Sequence, residues 1–192
     1  MKNKLNYFFD KEKKELLETL NKLDINKMKN FKLLCDQSIK AIKNKKKILF
    51  YGNGGSAADS QHLATELKVK YKNKRKALPA IALSNDVSSI TAIGNDYNFN
   101  DIFSRQIESL GNSGDIAIAL TTSGNSKNLI SAARTAKKLN LKTFCFSGNN
   151  GGLIKNYTDH NIIIPSDTTS IIQVCVLFIG QIDCGIIENY FM

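Results

Sequence analysis

Five short apolar runs, each followed by a helical stretch, constrain this chain more than any other feature. They are KILFY at 47–51, AIAL at 80–83, IAIAL at 116–120, KTFCF at 142–146 and IIIP at 162–165. Runs of four or five apolar residues alternating with amphipathic helices predict an α/β fold with a five-stranded parallel sheet covered on both faces. Two helices precede the first run. The spacing of Leu5, Phe8, Phe9, Leu16, Leu17, Leu20 and Leu23 predicts one over about 3–23, and Phe31, Leu33, Leu34, Ile39 and Ile42 a second over about 26–44. The last helix, about 169–189, is apolar almost all round, which suits a central position or a subunit interface. The expected organisation is one domain over 1–192, with 1–45 as helices used in assembly and 46–192 as the α/β core.

The formal charge of +10 raises the question of nucleic acid, and its location answers it. Residues 1–50 carry 14 Lys against 6 acids, while residues 101–192 balance at 7 against 7. The excess is Lys on the N-terminal helices, without the planar fork that Arg brings to phosphate and base recognition. A solvated basic face is the preferred reading, and no nucleic-acid partner is expected. The start lacks the apolar run of a signal peptide. Ile171 to Ile187 is too short for a membrane span and is broken by Gln173, Gln181 and Asp183, so no membrane partner is expected either. Cys35, Cys145, Cys175 and Cys184 form no C-x-x-C pair and read as core residues of a reducing, cytoplasmic protein.

In parallel sheets ligands sit beyond the carboxyl ends of the strands, so the loops there carry the chemistry. Gly52-Asn53-Gly54-Gly55-Ser56 follows the first run and opens a helix near Ala57. Thr121-Thr122-Ser123-Gly124-Asn125-Ser126 follows the third and opens a helix near Lys127, and Ser147 to Gly152 forms a third turn. Neither of the first two is a P-loop or a dinucleotide fingerprint. One such loop reads equally as a glycine turn with an N-cap. Two hydroxyl-rich loops leading into helix N-termini, in one small sheet, point to a neutral cradle for a sugar phosphate. On the helix after the first loop, His62 and Glu66 stand four residues apart on one face, as a hydrogen-bonded pair, a metal site or a general base. His160, between Asp159 and Asn161 and just before the fifth run, reads as structural.

GNGGSAADSQHLATEL, IALSNDVSSITAIGNDYNFNDIFSRQIESLG and TTSGNS closely resemble the phosphoheptose isomerase branch of the sugar isomerase (SIS) domain family, and the likeness spans essentially the whole chain. The resemblance implies a three-layer α/β/α sandwich, a homotetramer with sites at subunit boundaries, and conversion of sedoheptulose 7-phosphate to D-glycero-D-manno-heptose 7-phosphate on the way to surface polysaccharide. It also implies site residues. Asn53, Gly54, Gly55 and Ser56 would form a substrate loop, Asn95 and Asp96 a polar pair on the sugar, and Thr121, Thr122, Ser123 and Ser126 the phosphate loop. His62, Glu66, Gln173 and Gln181 would hold one zinc per subunit, with Glu66 also the catalytic base and Gln173 also touching substrate.

Departures from the family pattern fall on one side of this site. The last helix reads Ile171-Ile172-Gln173-Val174 where the family has R-I-Q-E, and Gln181 stands where a catalytic, metal-binding His is usual. Lys70 replaces a usual Arg, and Thr65 a frequent acid. Gln181 has no proton to exchange near neutral pH and is a weaker zinc ligand than imidazole. Three readings follow: an isomerase with a weakened metal site and water or another group as acid, an isomerase of a related sugar phosphate with altered demands, or an impaired relative that only binds a phosphosugar or a protein such as a replication initiator. Retention of Glu66 and of the GNGGS loop favours the enzyme. A sugar-phosphate sensor attached to a DNA-binding domain is disfavoured, since 192 residues leave no room for one.

Overall fold

The computed structural model describes residues 2–192. Helices α1 (Lys2–Lys22) and α2 (Lys29–Lys43) lead into β1 (Ile48–Gly52), α3 (Gly55–Lys68), β2 (Ala80–Ala82), α4 (Val87–Asp96) and α5 (Ser104–Leu110). Then come β3 (Ile116–Leu120), α6 (Lys127–Lys138), β4 (Lys142–Gly148), β5 (His160–Ile164) and α7 (Thr169–Tyr190). The sheet is wholly parallel in the order β2-β1-β3-β4-β5. It is the core of a three-layer α/β/α sandwich. Successive strand side chains point to opposite faces, so each strand feeds two cores. Ile48, Phe50, Ile116, Ile118, Leu120, Phe144, Phe146, Ile162 and Ile164 pack against α2, α3 and α7. Leu49, Tyr51, Ala117, Ala119 and Cys145 pack against α5 and α6. All four cysteines are free and buried.

Several boundaries move from the sequence-based expectation. The fifth strand starts at His160 rather than 162, so His160 lies inside it, its ring 5.0 Å from that of Phe144. The reason is packing: the imidazole covers the open face of Phe144 at the sheet margin. The helix after β1 starts at Gly55, two residues early, because Gly54 takes a positive φ of 55° that turns the chain at once into the helix.

Order β2-β1-β3 makes β1 and β3 neighbours whose chains leave to opposite faces, β1 into α3 and β3 into α6. That divergence opens a crevice at their carboxyl ends. Helix α7 runs parallel to α3 and touches it closely. A methyl group on Gly180 would lie 2.6 Å from Leu63 Cδ1, so the bare glycine permits the approach. Although α7 is long and apolar enough by composition to cross a membrane, one side of it is core here.

Candidate active site

The crevice between β1 and β3 holds a cavity of about 290 Å³ lined by Asn53, Gly55, Ser56, Thr121, Thr122, Ser123, Ser126, Thr169 and Gln173 among others. Two helix N-termini open onto it, those of α3 and α6, and neither is capped by the side chain at its N-cap, Gly54 or Ser126. Their first N–H groups therefore stay available to an anion, and the helix dipoles favour negative charge there. The loops are braced from within. Asn53 and Asn128 exchange two amide hydrogen bonds of 2.9 and 2.8 Å across the crevice. The Gly124 N–H donates to Thr121 Oγ1 at 3.1 Å, and the Asn125 N–H to Ser123 Oγ at 3.2 Å. With no cationic side chain in its lining, this cavity is a neutral, donor-rich cradle with room for a phosphate and part of the chain that carries it.

Further along α3, the His62 Nε2 lies 2.9 Å from Glu66 Oε1 and 3.3 Å from the Gln181 side-chain amide. The seven residues from Gly55 to His62 place this trio about 10 Å along the helix from the cradle. Glu66 is only 18% exposed on its side chain, against 44% for His62. One turn earlier, burial holds the Asp59 carboxyl above its usual range, with His62 pulling the other way. Nε2 cannot donate to Glu66 and accept from Gln181 in one protonation state. A proton shared with the carboxylate requires the Gln181 carboxamide to present its oxygen.

Among the expected residues, the structure brings Asn53, Gly55, Ser56, Thr121, Thr122, Ser123, Ser126 and Gln173 into one cavity, with the exposed Gly54 at its rim. His62, Glu66 and Gln181 form a second group. Gln173 lies against Gly55 instead, and no hydrogen bond joins it to the trio. Asn95 and Asp96, bonded to each other at 2.8 Å, are exposed at the end of α4 and line neither group. Two contributors went unmarked in the sequence. Asn128 braces Asn53 from inside α6, where one Asn in a helix carries no signal, and Thr169 sits at the start of a helix read only for its apolar content.

Among the described residues no group of three His, Cys, Asp or Glu side chains could hold a metal ion. The trio offers one imidazole, one carboxylate and one amide oxygen. Catalytic zinc sites use three nitrogen, sulfur or carboxylate ligands and keep a position open. This donor set does not fit a tightly held zinc.

Fold and cavity together define a parallel α/β sandwich with its ligand crevice at the strand-order reversal. The sequence profile of the SIS domain matches residues 10–148, and the chain belongs to the SIS domain family. Within that family it falls in the phosphoheptose isomerase branch. It is 50% identical over 153 residues to the phosphoheptose isomerase of Nitratiruptor, covering 80% of this chain and 82% of the relative. Over 184 residues it is 43% identical to that of Clostridium acetobutylicum, covering 95% and 94%. A solved phosphoheptose isomerase from Francisella tularensis superposes with a TM-score of 0.88 at 35% identity, covering 97% of each chain. One from Neisseria gonorrhoeae gives 0.86 at 31%, covering 98% of each. The protein is an enzyme, an isomerase.

Proposed function

We propose that the protein interconverts sedoheptulose 7-phosphate and D-glycero-D-manno-heptose 7-phosphate, in the cytoplasm, through an enediolate. The observation that carries this reading is the separation of a phosphate cradle from a carboxylate–imidazole pair by about two helical turns on one helix. A long-chain sugar phosphate spans that gap, with its phosphate on the α3 and α6 termini and its carbonyl end at Glu66. A triose phosphate does not. Glu66 takes the proton next to the carbonyl, from a side chain 18% exposed and 2.9 Å from the His62 imidazole. Gln181 cannot donate a titratable proton, so His62, the imidazole within reach, carries the acid role. Gln181 then orients that ring. Asn95 and Asp96 would meet the sugar of a neighbouring subunit in a homotetramer, consistent with their exposure on α4.

Purified protein given sedoheptulose 7-phosphate is expected to turn over, and Glu66→Gln to lower kcat by about 10³-fold with little change in KM. Turnover by Glu66→Gln at the parent rate would remove the base assignment. Gln181 favours a second reading, a phosphosugar-binding protein with impaired catalysis. It predicts saturable binding of the sugar phosphate by the parent protein with no turnover. For the metal, zinc titration followed by calorimetry is expected to show weak binding, and Gln181→His to strengthen it at least about tenfold, since imidazole replaces an amide oxygen. Equal zinc affinity in the two proteins would overturn the view that Gln181 leaves the set one ligand short.

A further inference from the structure

Beyond the trio, the largest buried charge assembly joins the far end of α3 to the far end of α7. Glu188 on α7 is 1% exposed, yet it faces polar partners on every side. Its carboxylate accepts the backbone N–H groups of Tyr71, Lys72 and Asn73 at 2.8, 2.7 and 2.8 Å. The Arg75 Nε lies 3.4 Å from Oε2 as an ion pair, without the alignment of a hydrogen bond. Burial pushes the Glu188 carboxyl up, but the three N–H donors and the Arg75 charge outweigh it and hold the group below the usual range.

Arg75 turns its two terminal nitrogens to the end of α3 and to the carbonyl of the next residue. Nη2 donates to the Glu66 carbonyl at 2.8 Å, and Nη1 to the Leu67 carbonyl at 2.7 Å and the Lys76 carbonyl at 3.1 Å. Carbonyls in the last turn of a helix lack intrahelical partners, and here a buried cation takes two of them. One of the two belongs to Glu66 itself. The network therefore runs from α7 through Glu188 and Arg75 to the backbone of the residue whose carboxylate meets His62.

We propose that Arg75 and Glu188 are positioning residues for the isomerisation: they fix the last turn of α3 against α7 and so hold the Glu66 carboxylate, His62 and Gln181 in register. The inference rests on the reading of Glu66 as the base. The pair stands on the opposite end of α3 from the phosphate cradle, so its loss bears on proton transfer and leaves phosphate binding alone. A guanidinium is required because only a planar fork caps two carbonyls while facing a carboxylate. Lysine keeps the charge and loses that geometry.

The test measures kcat and KM separately for Arg75→Lys and Glu188→Gln, with Ile42→Ala on α2 as a destabilised core control whose side chain has no part in the hydrogen-bond and ion-pair network. All are assayed well below their own melting temperatures. Both variants are expected to lose about tenfold to a hundredfold in kcat with KM within about twofold, as a carboxylate displaced by a fraction of an ångström to 1 Å would give. Free guanidinium at millimolar levels is expected to restore part of the kcat of Arg75→Ala and none of that of Glu188→Gln. If Arg75→Ala does not fold, the Arg75→Lys split alone carries the test. Losses no larger than that of Ile42→Ala, or losses confined to KM, overturn the inference. Glu66→Gln assayed in parallel separates the two failures. An inactive Glu66→Gln beside fully active Arg75→Lys leaves the base standing and removes only the positioning role, whereas an active Glu66→Gln removes both.

Discussion

Side-chain contacts in this fold differ in how far sequence spacing foretells them. His62 and Glu66 meet because residues four apart share a helix face, so their 2.9 Å contact was legible from spacing. Asn53 and Asn128 meet across 75 residues and two loops, which no local pattern encodes. Asp159 takes several hydrogen bonds at once. Its carboxylate accepts from the Thr143 N–H at 3.0 Å and the Thr143 hydroxyl at 2.9 Å, with Lys137 Nζ at 3.0 Å. Burial raises its pKa, but these donors and the Lys137 charge outweigh that and set it below the usual 3.8. A carboxyl with a depressed folded pKa adds stability above its unfolded value and loses it as pH falls through the folded one. Asp159→Asn is therefore expected to cost about 1 kcal/mol at pH 7. Unfolding curves of variant and parent should converge as the pH drops below the carboxylate range. A gap that persists in acid would assign the effect to shape rather than charge.

Elements show where periodicity succeeds and where it stops. The five apolar runs became five strands, because alternating core faces leave no other use for such residues in a covered sheet. Helix α4 gives no comparable signal, since none of its residues is buried. Which helices touch was also silent in the sequence, and α3 against α7 is the pair that matters. Gly180 lets them close, at a position where a helical glycine otherwise costs about 1 kcal/mol relative to alanine. Gly180→Ala gains that propensity and loses the approach, because its methyl meets Leu63 Cδ1 and Cδ2. Overpacking of this kind costs about 1–3 kcal/mol, so the variant is expected to melt lower despite its better helix former. It is also expected to lose kcat, as His62 and Gln181 move apart. A higher melting temperature with unchanged kcat would show that Leu63 yields freely and that the register of α3 and α7 does not depend on this contact.

At the scale of the whole molecule, the apolar surface left open argues for more than one chain. Val174, Phe178, Ile182, Ile186 and Tyr190 recur every fourth residue on the outer side of α7, each between 37% and 50% exposed. The row runs about 24 Å along the helix. Leu5, Phe8, Phe9 and Leu17 on α1 are exposed as well, and α1 packs on α7. Contiguous apolar surface of this extent is a mark of an interaction site, and a row at helical spacing suits an equivalent helix of a second copy. The proposed meeting of Asn95 and Asp96 with a neighbour's sugar needs such an assembly, since in their own chain they stand outside the cavity. Phe178→Glu places a charge in the middle of the row at a residue outside the cavity lining. It is expected to shift the protein to a smaller species by light scattering and to lower activity, with mixing of Phe178→Glu and Glu66→Gln chains restoring none. If the variant keeps the parent's mass, the row does not mediate assembly. If it becomes a fully active monomer, Asn95 and Asp96 have no part in the site, and one chain carries the whole reaction.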